Sequence, residues 1–118
     1  MYSSELVKGT LKTIILSLLA NEKEMYGYEI SKRVEELTKG KIQITEGALY
    51  PLLHKMEADG LVFTREENIG KRVRKYYRVS EEGKAESKER SNELRDFIAT
   101  LSSILNVETE NKGYGLAQ

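Results

Sequence analysis

The chain has 118 residues, 32% of them charged and 39% hydrophobic, a balance that suits one soluble globular domain with a modest core. Lys and Arg together exactly offset Asp and Glu in number, so the whole molecule has no attraction for a polyanion, and nucleic-acid binding would require charge separated locally along the chain. With no cysteine, disulfides and thiolate metal sites are excluded, which sets a cytoplasmic expectation.

The N-terminal residues carry no signal-peptide pattern. The most apolar stretch, TIILSLLA at 13–20, is far shorter than the roughly 20 residues of a membrane span, so no membrane partner is expected. Residues 4–20, with Leu6, Val7, Leu11, Ile14, Ile15, Leu16, Leu18 and Leu19, read as one helix buried on several sides. NEKEMYG at 21–27 reads as a loop, and Gly27 opens a second helix that runs to Thr38. Its core stripe is Ile30, Val34 and Leu37, and Gly40 stops it. KIQI follows as a short extended link.

Thr45 is the N-cap of a third helix, Glu46 suits its positive end and Gly60 terminates it. Inside this helix stands the chain's single proline, Pro51, at an expected cost of roughly 3 kcal/mol. The carbonyl it crowds belongs to Gly47, whose backbone freedom allows a bend that re-aims Tyr50 toward a phosphate while Leu49, Leu52, Leu53 and Met56 stay in the core; the alternative keeps Tyr50 packed, with its hydroxyl satisfied internally. LVFTRE and VRKYYRV then flank NIG, a β-hairpin pattern with Asn68 and Gly70 in the turn. From Ser80 a long helix follows, capped by that serine, with glutamates in its first turn; the polar tail after Asn106 is expected to fray. Three short helices and a hairpin make a winged helix-turn-helix pattern, mainly α within an α+β class, with the long helix appended. The expected division is a winged domain at 1–79, a dimerisation helix at 80–106 and a tail at 107–118.

Along the second strand Val73, Tyr77 and Val79 point one way, and Arg72, Arg74, Tyr76 and Arg78 the other. With Lys71 and Lys75, the octet KRVRKYYR holds five cations and no anion. Such a strand can lie along phosphates and release counterions; it can equally be a solvated edge guarded against aggregation. The third helix offers Lys55 and, in its first turn, the small or hydroxylated set Thr45, Gly47 and Ala48 beside Glu46. His54 has no metal-ligand partners at recognisable spacing. No cofactor or metal is expected, and without a cysteine nucleophile or phosphate-binding glycine loop the chain is not expected to be an enzyme.

MYGYEISKRV, EGALYPLLHKMEADGLV and KRVRKYYRVSEEGK, in that order and spacing, resemble the PadR family of bacterial transcriptional regulators, and the short C-terminal helix is similar to its small-chain branch. The resemblance implies that the third helix reads DNA through Thr45, Glu46, Gly47, Ala48 and Tyr50, with Lys55 further along. It also implies that Lys71, Arg72, Arg74 and Lys75 grip the backbone of a double-stranded, palindromic operator. Leu94, Phe97, Ile98, Leu101, Ile104 and Leu105 form an apolar stripe that either folds back on its own core or pairs a homodimer. The resemblance favours the pairing, against Leu6 and Val7 of a second copy. In that branch Leu94 and Phe97 would line a pocket for a small hydrophobic or aromatic effector, although the chain lacks the tryptophan that stacks on planar ligands, and an apolar interface without a ligand explains both residues equally well. The competing function is a winged-helix protein-interaction module without a DNA target.

Overall fold

A computed structural model describes residues 1–105. The expected tail at 107–118, with Asn106, lies outside them. Residues 4–20 form two helices, α1 (Ser4–Lys8) and α2 (Leu11–Ala20). The break comes where Val7 carbonyl accepts from both the backbone and the hydroxyl of Thr10, each at 2.9 Å, a three-residue step that ends the helical ladder. Only α2 is buried, through Thr13, Ile15, Leu16, Leu18 and Leu19; α1 buries no residue.

The expected loop at 21–27 contains a strand, β1 (Met25–Tyr26). Two residues are too few to show an alternation, and the strand exists because a distant segment pairs with it. That segment is β3 (Arg72–Val79), with Met25 opposite Tyr77 and Tyr26 opposite Tyr76. Helix α3 (Gly27–Leu37) buries Ile30 and Val34, but Leu37 is 68% exposed: the last turn runs past the core edge. There Thr38 takes over, donating its hydroxyl to Val34 carbonyl at 2.8 Å and accepting from Ile42 N–H at 3.0 Å.

Helix α4 (Glu46–Ala58) starts as its sequence predicts, with Thr45 hydroxyl accepting from Ala48 N–H at 3.2 Å. Leu49, Leu53 and Met56 are buried and Leu52 packs against them. The helix runs through Pro51, and both Pro51 and Gly47 are exposed. The carbonyl that loses its helical partner therefore sits where water can satisfy it, which limits the cost of the proline.

Strand β2 (Val62–Ile69) pairs antiparallel with β3 from Val62–Val79 down to Ile69–Arg72, in a sheet of order β1-β3-β2. The ladder takes in Asn68 and Ile69, so the turn is Gly70–Lys71 and not NIG. The alternation along β3 holds: Tyr77 and Val79 are buried on the core side. Val73 shares that side yet is 59% exposed, because the hairpin outruns the core.

Helix α5 (Glu81–Ile104) is capped by Ser80, whose hydroxyl accepts from Gly83 N–H at 3.0 Å and donates to Gly60 carbonyl at 2.7 Å. A Cβ at Gly83 would meet Leu61 carbonyl and lie 2.6 Å from Val79 Cγ2, so only glycine lets this first turn press onto the sheet. Lys12 and Glu86 tie α2 to it at 3.2 Å. Met1–Lys88 forms one compact unit around Ile15, Leu16, Ile30, Leu53, Met56 and Tyr77. A second unit begins at Glu89. On it Leu94 is half-buried, whereas Phe97, Ile98, Leu101, Ile104 and Leu105 are exposed by 39–73%. The architecture is a winged helix-turn-helix domain followed by a long helix. No helix among the described residues is long and apolar enough to cross a membrane.

Candidate nucleic-acid interface

The first turn of α4 presents Thr45, Glu46 and Gly47 to solvent, with Ala48 half-buried. Tyr50 comes next, packed against the core by its ring. Burial, and secondarily the charge of Glu46, pushes its phenol above the ordinary tyrosine range. Lys55 stands one helical turn beyond Pro51, largely exposed, with its ammonium 3.4 Å from Asp59.

The wing sorts its cations by strand pleat. On the outer face Arg74 lies over the Tyr26 ring at 4.0 Å, Arg65 over Tyr76 at 4.3 Å and Arg78 over Phe63 at 5.5 Å. Tyr26 and Tyr76 meet edge to face at 5.7 Å. Arg65 also grips Glu24, its Nε 3.1 Å from both carboxylate oxygens. That hydrogen bond holds the Glu24 carboxyl below its usual range, with the nearby positive charges adding to it. On the inner face Lys75 reaches Glu57 at 3.6 Å. Lys71, at the turn, and Arg72 are exposed and make no ion pair among the described residues.

The facing strand tempers this charge. Glu66 stands opposite Lys75 and Glu67 opposite Arg74, so the whole wing sets six cations against two glutamates. It is still strongly positive, on a molecule of zero net charge.

Beyond the end of β1, β3 faces α4 across a cleft of about 600 Å³. Its walls are Tyr50 and His54 from α4, Tyr26, Gly27 and Tyr28 from the β1–α3 junction, and Ile69, Arg72, Val73, Arg74 and Lys75 from the wing. Of the residues expected to meet DNA, the fold thus gathers Tyr50, Arg72, Arg74 and Lys75 in one place. Thr45, Glu46 and Gly47 do not line it, nor do Lys55 and Lys71. Ala48 lines a separate groove with Val7 and Leu11. Tyr26, Gly27, Tyr28 and His54 are members that sequence reasoning missed. MYGYE was conspicuous as a motif, but nothing local to it says that it lies across from Tyr50. Among the described residues no group of three or more His, Asp and Glu is placed to hold a metal ion.

Residues 15–89 match the model of a family described as the Transcriptional regulator PadR-like family. A solved transcriptional regulator from Clostridium thermocellum, Cth-833, is similar at 32% identity and a TM-score of 0.74, covering 87% of this chain and 96% of its own. Bacillus subtilis PadR, solved in complex with operator DNA, is similar at 29% identity and a TM-score of 0.61, over 67% of this chain and 45% of that one. The transcriptional regulator Rv3488 of Mycobacterium tuberculosis is 31% identical over 96 residues, 81% of this chain and 84% of that protein.

Proposed function

The chain belongs to the PadR-like family of transcriptional regulators, whose members are not enzymes, and from that premise we propose that two copies of it bind a palindromic DNA operator and repress the adjoining genes. The observation that carries this reading is the cleft lined by Tyr50 of α4 together with Arg72, Arg74 and Lys75 of the wing. A tyrosine of the helix and cationic residues of the wing lining one cleft beside an exposed helix start suit a phosphate backbone running past a groove. The operator complex of Bacillus subtilis PadR, a similar protein, supports DNA as the partner.

In this reading Thr45, Glu46, Gly47 and Ala48 approach base edges, where Glu46 can accept from a cytosine amino group. Tyr50 donates its hydroxyl to a phosphate, Lys71, Arg72, Arg74 and Lys75 neutralise backbone charge, and Lys55 extends the contact along α4. The exposed stripe Phe97, Ile98, Leu101, Ile104 and Leu105, with Leu94, pairs with a second copy against that copy's Leu6 and Val7, which are exposed and half-buried. A two-fold pair sets its reading helices about one turn of DNA apart. A small hydrophobic or aromatic effector, held at Leu94 and Phe97 between the copies, releases the DNA. The cytoplasm is the setting.

A gel shift on the chain's own upstream region, repeated across salt concentrations, tests the reading. Sequence-selective binding that weakens steeply with salt is expected. Weak binding indifferent to sequence would point instead to a winged-helix module for protein partners.

A further inference from the structure

Gly27 has no conformational need to be glycine. Its backbone is not left-handed, unlike that of Gly40, Gly60 and Gly70. It opens α3, where alanine is the better helix former. What excludes a side chain is Tyr50: a Cβ on Gly27 would lie 2.6 Å from Tyr50 Cε1 and 2.7 Å from Cζ, and closer still to the hydroxyl. The ring packs against the core on one side and borders the cleft on the other, so a methyl at Gly27 displaces the Tyr50 phenol from its place beside the wing.

The preceding residue works in the other direction. Tyr26 pairs with Tyr76 of β3 and meets its ring at 5.7 Å, while its own ring carries the Arg74 guanidinium at 4.0 Å. Glu29 accepts from Tyr26 N–H at 3.2 Å and pins the strand-to-helix junction. Two consecutive residues thus seat one side chain from α4 and one from the wing.

We propose that Tyr26 and Gly27 are positioning residues for DNA recognition: this dipeptide sets the separation between the Tyr50 phenol and Arg74, so that α4 and the wing meet the same stretch of duplex in register. Gly27 acts through Tyr50, and Tyr26 acts through Arg74. The inference rests on the DNA-binding reading above. It gives a task to the Tyr-Gly step beyond packing, and the salt dependence of DNA binding by the Tyr26 variants is a readout that a merely structural junction leaves unmoved.

The test is a double-mutant cycle in the full chain, read as affinity for the duplex upstream of its own coding sequence. Gly27→Ala alone should weaken binding by about tenfold, the cost of crowding a methyl into a packed site. In a Tyr50→Ala background the same change should alter affinity by less than about twofold and raise the melting temperature, since helix propensity is then unopposed. Tyr26→Leu should weaken binding by about fivefold and flatten its salt dependence, while Tyr26→Phe keeps the ring under Arg74 and binds like wild type. Equal losses from Gly27→Ala in both backgrounds, or wild-type binding by Tyr26→Leu, overturn the proposal and leave DNA binding intact. If Gly27→Ala alone does not fold, the double variant compared with Tyr50→Ala, together with the Tyr26 pair, still decides. A wild-type protein that ignores the duplex at low salt sinks the DNA reading itself, and the proposal with it.

Discussion

Replacing Lys71 and Arg72 together by alanine isolates the wing's free charge. Both side chains are exposed and neither is held in an ion pair among the described residues, so neither must break an internal contact to reach a phosphate. Each neutralised phosphate contributes about 0.9 to the slope of log affinity against log salt. Losing two contacts therefore makes the slope shallower by about 1.8 per subunit, and by about 3.6 for a pair. Over a roughly fourfold rise in salt, wild-type protein should lose about 12-fold more affinity per subunit than the variant does. Fluorescence anisotropy titrations at four salt concentrations measure this directly. Thermal stability serves as the control, since exposed substitutions of this kind stay within about 0.5 kcal/mol. Lys75→Ala supplies the internal contrast: its ammonium is 3.6 Å from Glu57, and that pair must open before Lys75 can serve DNA, so its slope change should be smaller than that of either free cation. If wild type and the Lys71/Arg72 variant give parallel lines, the wing does not touch the backbone through these residues and the charge argument fails.

Tyr50→Phe removes only the hydroxyl and should weaken DNA binding by about tenfold, as expected for a hydrogen bond to a charged group, with no fall in melting temperature; an unchanged affinity and salt slope would count against a phosphate contact. Leu101→Lys places a charge in the exposed apolar stripe of α5 and should turn a dimer into a monomer by sedimentation velocity. A variant that still sediments as a dimer would move the interface elsewhere. The hydrogen bond from Arg65 lowers the Glu24 carboxyl below its unfolded value, so this pair contributes stability above the ordinary carboxylate range and loses it as pH falls through the folded value. Urea midpoints measured down the acid range should therefore fall more steeply for wild type than for Glu24→Gln, and identical curves would show that the pair contributes nothing.

Where an element depends on its own residues, it could be read in advance. Thr45 and Ser80 cap their helices through bonds only three residues long, to Ala48 and Gly83, and β3 alternates because successive side chains must take opposite faces. The winged helix-turn-helix architecture follows from the order of such local units. What stayed out of reach joins residues far apart in the chain. Met25–Tyr26 is a strand only because Tyr76 and Tyr77 arrive beside it, and Arg65 finds Glu24 across 41 positions. Leu37 keeps perfect helical spacing yet lies beyond the edge of the core, and Val73 shares a face with Tyr77 yet projects past what that face covers. Periodicity tells which way a side chain points; only packing tells whether anything is there to meet it. The same holds for the cleft. Composition announced the cations, but the closeness of Gly27 to Tyr50, and the cleft that both of them line, come from a space that exists only when the elements are assembled.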